Sequence, residues 1–398
     1  MSDPAAAALL FGYGATASGS QVTPETALRV PAVYASVKVI SESIAQLPLV
    51  LYRRLPDGGK EPAEDHPLFS LLASAPNAWT TSVEFRQAMQ SALCAYGNAY
   101  AYVSRNAAGR VVELIFLHPT QVAVEVDQRS MEPLYRVTDL GGTQRVYSRA
   151  EVFHLRTLNV GTLSGYVGVS PLTQIAEAIG LAMALEEHGA RLFSNGARPG
   201  GLFKYGKQLS APILERLRDQ LAGQQAGGAN SGKTMILEDG MSFEPLTFNS
   251  VDAQFLELRQ HQIAEIARAF RIPLHKLGEL SRSTNNNIAT QNGEFLTDCL
   301  LPQITAWEQA ISLSLLTPEE RKEYFAEFDL DDFSRADILA RFQAYALAIT
   351  NGVMNPNEVR ATENLPGYGP EGDVFTRQLN TAPAAPAMPA PPRGPADA

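Results

Sequence analysis

The stretch from Ser250 to Leu316 limits the possible folds of this chain more than any other part of it. An amphipathic helix begins near Ser250 and ends at Arg271-Ile272-Pro273, because proline disfavours helical geometry in the residue before it. A polar loop follows, and a second helix then carries one apolar stripe. That stripe consists of Leu300, Ile304, Trp307, Ile311 and Leu315. We expect the residues before this unit to form a scaffold for it.

The two helices of this stretch carry signals that predict their ends and faces. Ser250 is the predicted N-cap of the first helix, and Pro302 is expected to bend the second. The apolar positions of the first helix predict its buried face: Phe255, Leu258, Ile263, Ile266, Ala267 and Phe270. Its polar positions predict the other face: Glu257, Arg259, Gln260, Glu265 and Arg268.

Helix and strand signals are mixed in the part of the chain before this stretch. Thr23-Pro24-Glu25 begins a helix with a capping hydroxyl and a proline at its first position. Residues 47–54 then alternate as a strand, and a capping box from Thr81 to Glu84 opens another helix. From Ala99 to Leu155 the hydrophobic period is two, with turns between short strands. The mixture predicts an α+β fold.

The middle of the chain continues this mixture. Ser170-Pro171 begins a long helix that stops at Asn195-Gly196. Residues 199–249 predict a strand, a helix from Ala211 to Ala222, a glycine-rich loop and further strands. After the central unit, residues 324–330 alternate as a strand that we expect to return to the earlier sheet.

The two ends of the chain differ in composition from the rest. Residues 1–22 are small and rich in Gly, Ser and Ala, so we expect them to be flexible. Near the other end, Ser334 begins a helix that stops at Asn351-Gly352, and Asn355-Pro356 begins another. From Thr381 onward the chain is almost entirely Ala and Pro without periodicity, which predicts disorder.

The charge of the chain limits the ways in which it can bind nucleic acid. The formal net charge is -10 and the pI is about 5.2. A nonspecific coat on DNA is disfavoured, because such binding draws its affinity from lysine and arginine. An acidic, polar channel would instead repel phosphates from its wall and let a duplex slide.

The cysteines and the hydropathy of the chain indicate where it is made. Cys94 and Cys299 lie far apart in sequence and argue against a disulfide framework, which fits a reducing compartment. No apolar run reaches the length of a membrane span, and the first residues lack the basic region of a signal peptide. We expect the protein to be made in the cytoplasm, with no membrane partner.

One motif offers a competing function. Gly227 to Thr234 satisfies the phosphate-loop pattern G-x-x-x-x-G-K-T, which alone would predict an NTPase that uses Lys233. The chemistry requires a strand entering the loop and a helix leaving it, so that backbone amides converge on the phosphates. Here the preceding residues are helical in composition and the following ones are strand-like. The reversed order disfavours this alternative.

No other group of residues predicts chemistry. The six histidines are scattered, and none has cysteine or carboxylate neighbours at metal-ligand spacing. A metabolic α+β enzyme, the third hypothesis, lacks a paired acid and base. We therefore predict no catalytic, cofactor-binding or metal-binding residues.

The central stretch also carries a family resemblance. DAQFLELRQHQIAEIARAFRIPLHKLGELSRSTNNNIATQNGEFL resembles the signature of portal proteins of long-tailed DNA phages and of phage-like gene transfer agents. The resemblance extends from about Thr23 to Leu379 and includes, in order, HPLFSLLASAPNAWTTSVEFRQAM, AYGNAYAYV, GVSPL, EHGARLFSNGARPGG and NPNEVRATENLPGYG. The chain is short for a portal, which favours a small siphophage or a gene transfer agent, and we lean to the latter.

The resemblance implies a portal fold: an α/β wing, an antiparallel helical stem, a small α/β clip and a helical crown, in a ring-forming oligomer. The implied division is a flexible N-terminus (1–22), wing (23–169), stem helix 1 (170–198), clip (199–249), stem helix 2 (250–273), tunnel loop (274–290), wing return helix and strand (291–333), crown (334–380) and disordered tail (381–398).

The resemblance also places DNA against the polar loop. The implied DNA-facing residues are Arg282, Ser283, Thr284, Asn285, Asn286 and Asn287. Taken alone, the three asparagines fit a solvated turn. Within the portal interpretation they are the best candidates for DNA contact, because short amide side chains hydrogen-bond phosphate without holding it by charge.

The resemblance finally implies a set of partners. They are identical copies in a ring of twelve, double-stranded DNA in the channel, the major capsid protein, the terminase large subunit during packaging and a head-tail adaptor. The location implied is the portal vertex of a virion or phage-like particle, assembled in the bacterial cytoplasm. The protein would do no chemistry itself.

Overall fold

The computed structural model of the chain describes residues 16–56, 58–139, 141–157, 165–194, 202–204, 215, 242–244, 249–279, 291–330, 338–363 and 365–375. Residues 1–15 of the predicted flexible N-terminus (1–22), the predicted helix at 211–222 apart from residue 215, and the predicted tail from residue 381 lie outside these ranges. By internal contacts the chain divides into two compact units, Met1–Phe328 and Asp329–Ala398.

The described helices of the first unit, in chain order, are α1 (Pro24–Ala27), α2 (Pro31–Gln46), α3 (Pro67–Ala73), α4 (Ser82–Tyr96), α5 (Pro171–Gln174), α6 (Ala176–Ser194), α7 (Asn249–Ala269), α8 (Leu301–Leu315) and α9 (Glu320–Glu323). The second unit contains α10 (Ile338–Thr350) and α11 (Pro356–Thr362). The strands are β1 (Leu49–Arg54), β2 (Lys60–Pro62), β3 (Asn98–Arg105), β4 (Val111–Leu117), β5 (Val122–Val126), β6 (Pro133–Thr138), β7 (Gln144–Tyr147), β8 (Val152–Arg156), β9 (Leu202–Lys204), β10 (Ser242–Glu244) and β11 (Tyr324–Phe328).

The strands form small antiparallel sheets, as the alternating sequence predicts. Their orders are β4-β3-β8, β5-β6-β7 and β11-β1-β2, and β9 pairs with β10. The pairing of Leu49 with Phe328 returns β11 to the strand of residues 49–54, so the predicted return of this segment to an earlier sheet is confirmed. The predicted α+β class is confirmed as well.

The apolar stripe that begins at Leu300 and continues along α8 forms part of the main core. Leu300, Ile304, Trp307, Ile311 and Leu315 are all buried, as predicted. The Trp307 ring lies 5.8 Å from the ring of Phe153 on β8, and its Nε1 donates to Gln90 Oε1 on α4 at 2.8 Å. Because a buried indole N–H needs a partner, Gln90 fixes the orientation of α8 against the scaffold.

A polar cluster joins β3, β6 and β8 to the segment before α5. Asn98 Oδ1 accepts from Gly168 N at 2.7 Å, so it is an acceptor for His154 Nε2 at 3.1 Å as well. His154 Nε2 therefore carries the proton, and Nδ1 accepts from the Tyr135 hydroxyl at 3.2 Å. The imidazole also stacks on Tyr100, with ring centroids 4.4 Å apart. Burial, with a smaller contribution from the charge of Arg156, lowers the pKa of His154 to about 3.

A glycine permits the same segment to approach the scaffold closely. Gly97 ends α4 with a φ of +73°, a conformation that glycine adopts without strain. A Cβ atom at this position would lie 2.2 Å from the carbonyl oxygen of Val169. The start of α5 is thereby held directly against the end of α4, where Ser170 Oγ donates to Ala95 O at 2.6 Å.

Three predicted helix ends differ in detail from the structure. The helix starting at Thr23-Pro24 stops at Ala27, and a second begins at Pro31, whose missing N–H and fixed φ favour a new start. The helix capped by Ser170 is interrupted at Ile175, where ψ is 21°. The central helix begins at Asn249, so Ser250 lies within its first turn and is not its N-cap.

The second unit follows its capping signals. Gly352, with a φ of +69°, lies just after α10, as the predicted stop requires. Asn355 and Glu358 form a capping box at the start of α11: Asn355 Oδ1 accepts from Glu358 N, and Glu358 Oε2 accepts from Asn355 N. The predicted start of α10 at Ser334 lies outside the described residues. The division of the whole chain into wing, stem, clip and crown stays a prediction.

Candidate nucleic-acid interface

Helix α7 has a narrow buried face that contacts α2 and α6. Gln262 is 4 % exposed, and Ile266 and Phe270 are buried with it. Near the start of the helix, Phe255 lies beside His188 of α6, with ring centroids 6.0 Å apart. Arg259 Nη2 lies 3.6 Å from Glu186 Oε1, which also belongs to α6. This side of α7 is therefore directed at the scaffold.

The two leucines of α7 lie outside this buried face. Leu256 is 63 % exposed and Leu258 is 40 % exposed. They are two residues apart, which separates them by about 200° around a helix. Each leucine therefore lies on a different flank of the buried face. The prediction that Leu258 belongs to the buried face is wrong, and so is the placement of Arg259 on the opposite side.

The side of α7 opposite the buried face is polar. Glu257, Gln260, His261 and Arg268 are all exposed on it. One acidic side chain, Glu257, and one basic side chain, Arg268, are among them, so this face carries little net charge. A surface of this kind can lie close to a charged polymer without binding it tightly, because tight nonspecific binding of DNA requires several lysines or arginines.

The C-terminus of α7 turns through a left-handed residue. Arg271 has a φ of +56°, which is uncommon for a residue with a Cβ. Ile272 N donates to Ala267 O at 2.9 Å, which closes the last turn in the manner of a helix that ends at a left-handed residue. The predicted end at Arg271-Ile272-Pro273 is confirmed.

The predicted DNA-facing residues, Arg282 to Asn287, lie outside the described residues. The structure does describe the segments on both sides of them. His275 Nδ1 lies 2.8 Å from Gln291 Oε1, and His275 Nε2 lies 3.1 Å from Asn292 Oδ1. One imidazole thus contacts two amides across the loop, which keeps its two ends together. The sequence offered no signal for this contact, because it joins residues on opposite sides of the loop.

The helix that follows the polar loop contains a π-helical turn close to Pro302, where the sequence predicted a bend. Phe295–Leu300 is π-helical and α8 follows it directly. Pro302 has no N–H to donate to the carbonyl of Asp298, four residues earlier. Arg271 Nη1 donates to that carbonyl at 3.3 Å, and Cys299 Sγ lies 3.2 Å from Phe270 O. These two contacts connect the C-terminal end of α7 to the π-helical turn before α8.

The competing phosphate loop, Gly227 to Thr234, also lies outside the described residues. Within the ranges that the structure does describe, no group of three His, Cys, Asp or Glu side chains is placed to hold a metal ion. In the same ranges, no helix is long and apolar enough to cross a membrane. Cys94 and Cys299 are both buried and free, and burial raises the pKa of each thiol to about 12.

The chain belongs to the phage portal protein family, because the model of that family matches residues 31–364. It is 32 % identical to the portal protein of Enterobacteria phage HK97 over 92 % of this chain and 85 % of that protein. It is 30 % identical to a probable portal protein of Streptomyces phage phiC31, over 89 % of this chain and 79 % of that one.

Solved structures support the same fold. A chain in the neck of an empty gene transfer agent particle superposes with a TM-score of 0.64 at 24 % identity, covering 92 % of this chain and 94 % of that one. A phage HK97 family portal protein from Corynebacterium diphtheriae gives a TM-score of 0.54 at 19 % identity, covering 80 % and 99 %. The predicted portal fold is confirmed.

Proposed function

We propose that copies of this portal protein form a closed ring around a channel for double-stranded DNA, at one vertex of a phage-like particle. A separate terminase motor drives DNA inward through the ring, and a head-tail adaptor later docks on the clip. The protein itself does no chemistry. A chain in the neck of a native gene transfer agent particle, computed with C12 symmetry, has the same fold and supports twelve copies.

The arrangement of α7 carries this proposal. The helix has one buried face, one exposed leucine on each flank and a polar face opposite the core. In a ring, every copy meets a preceding and a following neighbour through two different surfaces. Leu256 and Leu258 suit these two contacts, and the face with Glu257 and His261 is left to line the channel.

A second feature of α7 suits a neighbouring copy. A cavity of about 230 Å³ lies between α2, α6 and α7 and is lined by Pro31, Leu185, Gln262 and Ile263 among others. Within the part of the chain that the structure describes, the buried Gln262 Oε1 accepts no hydrogen bond. A buried acceptor without a donor is costly. A donor from the adjacent copy would relieve this cost in the ring.

The substitution Leu256→Asp tests the ring contact. Leu256 is exposed in the single chain, so we expect the variant to fold. The new charge would lie in the proposed apolar contact between copies, so we expect ring assembly to be lost. Mass photometry of the purified protein measures the assembly. The matched control is Glu257→Gln on the polar face, which should assemble as the unaltered protein does. Rings formed equally well by Leu256→Asp would contradict this use of the flank.

A further inference from the structure

A second polar site lies at the end of α8, and its lining includes no residue of α7. A cavity of about 310 Å³ opens where the end of α8 meets the sheets. Its lining includes Arg105 of β3, Arg149 just before β8, and Arg321 of α9. Ser148, Ser314 and Thr317 add hydroxyl groups to it. Three arginines thus line one small cavity in a chain whose net charge is -10.

Two of these arginines are held in place by the C-terminal carbonyls of α8. Arg105 Nη2 donates to Ser314 O at 2.8 Å, and its Nε and Nη1 donate to Ala150 O and Gly109 O. Arg321 Nε donates to Ser312 O at 2.8 Å and its Nη2 to Leu313 O at 2.7 Å. These bonds cap the helix. Because a guanidinium has five N–H groups, the bonds to described residues leave donors on each arginine for a ligand.

The carboxylates near the cavity do not balance its positive charge. Glu132 lines it, with Oε1 3.5 Å from Arg149 Nη1. A smaller cavity of about 140 Å³ shares Arg105 and adds Arg110, His66 and Glu320. Glu320 Oε1 lies 3.4 Å from His66 Nε2. Burial lowers the pKa of Arg105, partly offset by the charge of Glu320. An incoming anion would compensate the desolvated charge of Arg105.

The shape of the site favours a protein segment as its ligand. A duplex is held through several phosphates along an extended surface, and an acidic chain repels it elsewhere. A small, open cavity of about 310 Å³ has room for one or two carboxylates instead. Leu313, which is 51 % exposed, lines the same cavity and offers an apolar contact beside the charges. Arginine is also suited to paired hydrogen bonds with a carboxylate.

We propose that this arginine pocket binds an acidic segment of a partner protein, with a carboxylate between Arg105, Arg149 and Arg321 and an apolar neighbour on Leu313. The site is independent of the DNA channel. It would dock a second protein on the wing whether or not the polar loop touches DNA.

Fluorescence anisotropy with the full chain tests the proposal. The probe is a fluorescein-labelled hexapeptide in which aspartate and leucine alternate. We expect saturable binding that weakens with added salt. Arg149→Glu should weaken it at least about tenfold, because Arg149 is exposed and its reversal puts a carboxylate into the lining of the pocket. The matched control is Arg145→Glu, which makes the same charge change on β7 outside the pocket and should bind normally.

Several results would overturn the proposal. One is the absence of saturable binding by the unaltered chain, and another is an equal loss in Arg149→Glu and Arg145→Glu. Binding of a short DNA duplex that depends on Arg149, with no binding of the peptide, would assign the pocket to nucleic acid instead. Thermal melting of both variants confirms that they are folded before binding is compared.

Discussion

His154 shows how one residue connects strands β3, β6 and β8 to the segment that precedes α5. Its two ring nitrogens contact Asn98 and Tyr135, and Asn98 in turn holds the backbone of Gly168. The ring is neutral in the folded chain because burial lowers its pKa to about 3. In the unfolded chain the same group titrates near its ordinary value of about 6.5.

This difference predicts a loss of stability in acid. As the pH falls below about 6.5, His154 binds a proton in the unfolded state, whereas in the folded state it stays neutral until about pH 3. The free energy of unfolding should therefore fall across this window, by at most on the order of 5 kcal/mol from this residue. Urea unfolding at fixed protein concentration, at neutral and mildly acidic pH, measures the change.

The substitution His154→Gln separates this residue from the others that titrate in acid. Glutamine keeps a donor and an acceptor but does not titrate, so the loss of stability between neutral and mildly acidic pH should shrink. The control is His261→Gln on the exposed face of α7, which should keep the acid sensitivity of the unaltered chain. An unchanged pH dependence in His154→Gln would show that the ring is not the cause.

Single residues also show where the spacing of apolar residues predicts the buried face of a helix and where it does not. The stripe of α8 was predictable because all five apolar residues face one core. On α7 the same rule misplaced Leu258 and gave no sign that Gln262 is buried. A helix that meets several surfaces distributes its apolar residues among them, so spacing alone cannot tell which side is the core.

At the scale of elements, the segments that flank the polar loop are more strongly joined than their sequence indicates. Pro302 predicts an irregularity, because it cannot donate to Asp298 O. The form that it takes, a π-helical turn joined to the left-handed Arg271, depends on the packing of the two helices against each other. Likewise, His275 contacts Gln291 and Asn292, which lie 16 and 17 residues later in the sequence. Contacts of this kind have no local signature.

Deleting Ser283 to Asn287 tests the role of the loop between these segments. We expect rings to form, because the buried contacts of α7 and α8 lie outside the deletion and His275 still joins the flanking residues. Particles assembled with the variant should contain less DNA, because the polar side chains proposed to touch the duplex are missing. The amount of nuclease-protected DNA per particle measures this effect.

A replacement of the same five residues by glycine and serine controls for loop length. If the effect comes from the threonine and asparagine side chains, this variant should also retain less DNA. Normal DNA content in particles carrying the deletion would remove the loop from the DNA-facing site, while the portal fold would stand.

At the scale of the whole molecule, the family and the fold could be identified from sequence to a large extent. The capping box at Thr81, the helix starts at Ser170 and Asn355 and the alternating strands all occur where predicted. The arginine pocket could not be foreseen, because Arg105, Arg149 and Arg321 are far apart in the chain and converge only at the end of α8.

The central claim is that α7 contacts two neighbouring copies through its two leucine flanks and lines the channel with its polar face. Electron cryo-microscopy of the purified, unaltered protein tests this most directly. We predict a closed ring in which Leu256 and Leu258 contact different neighbours and Glu257 and His261 face the axis. A protein that stays monomeric at high concentration, or a ring in which these polar residues face away from the channel, would contradict it.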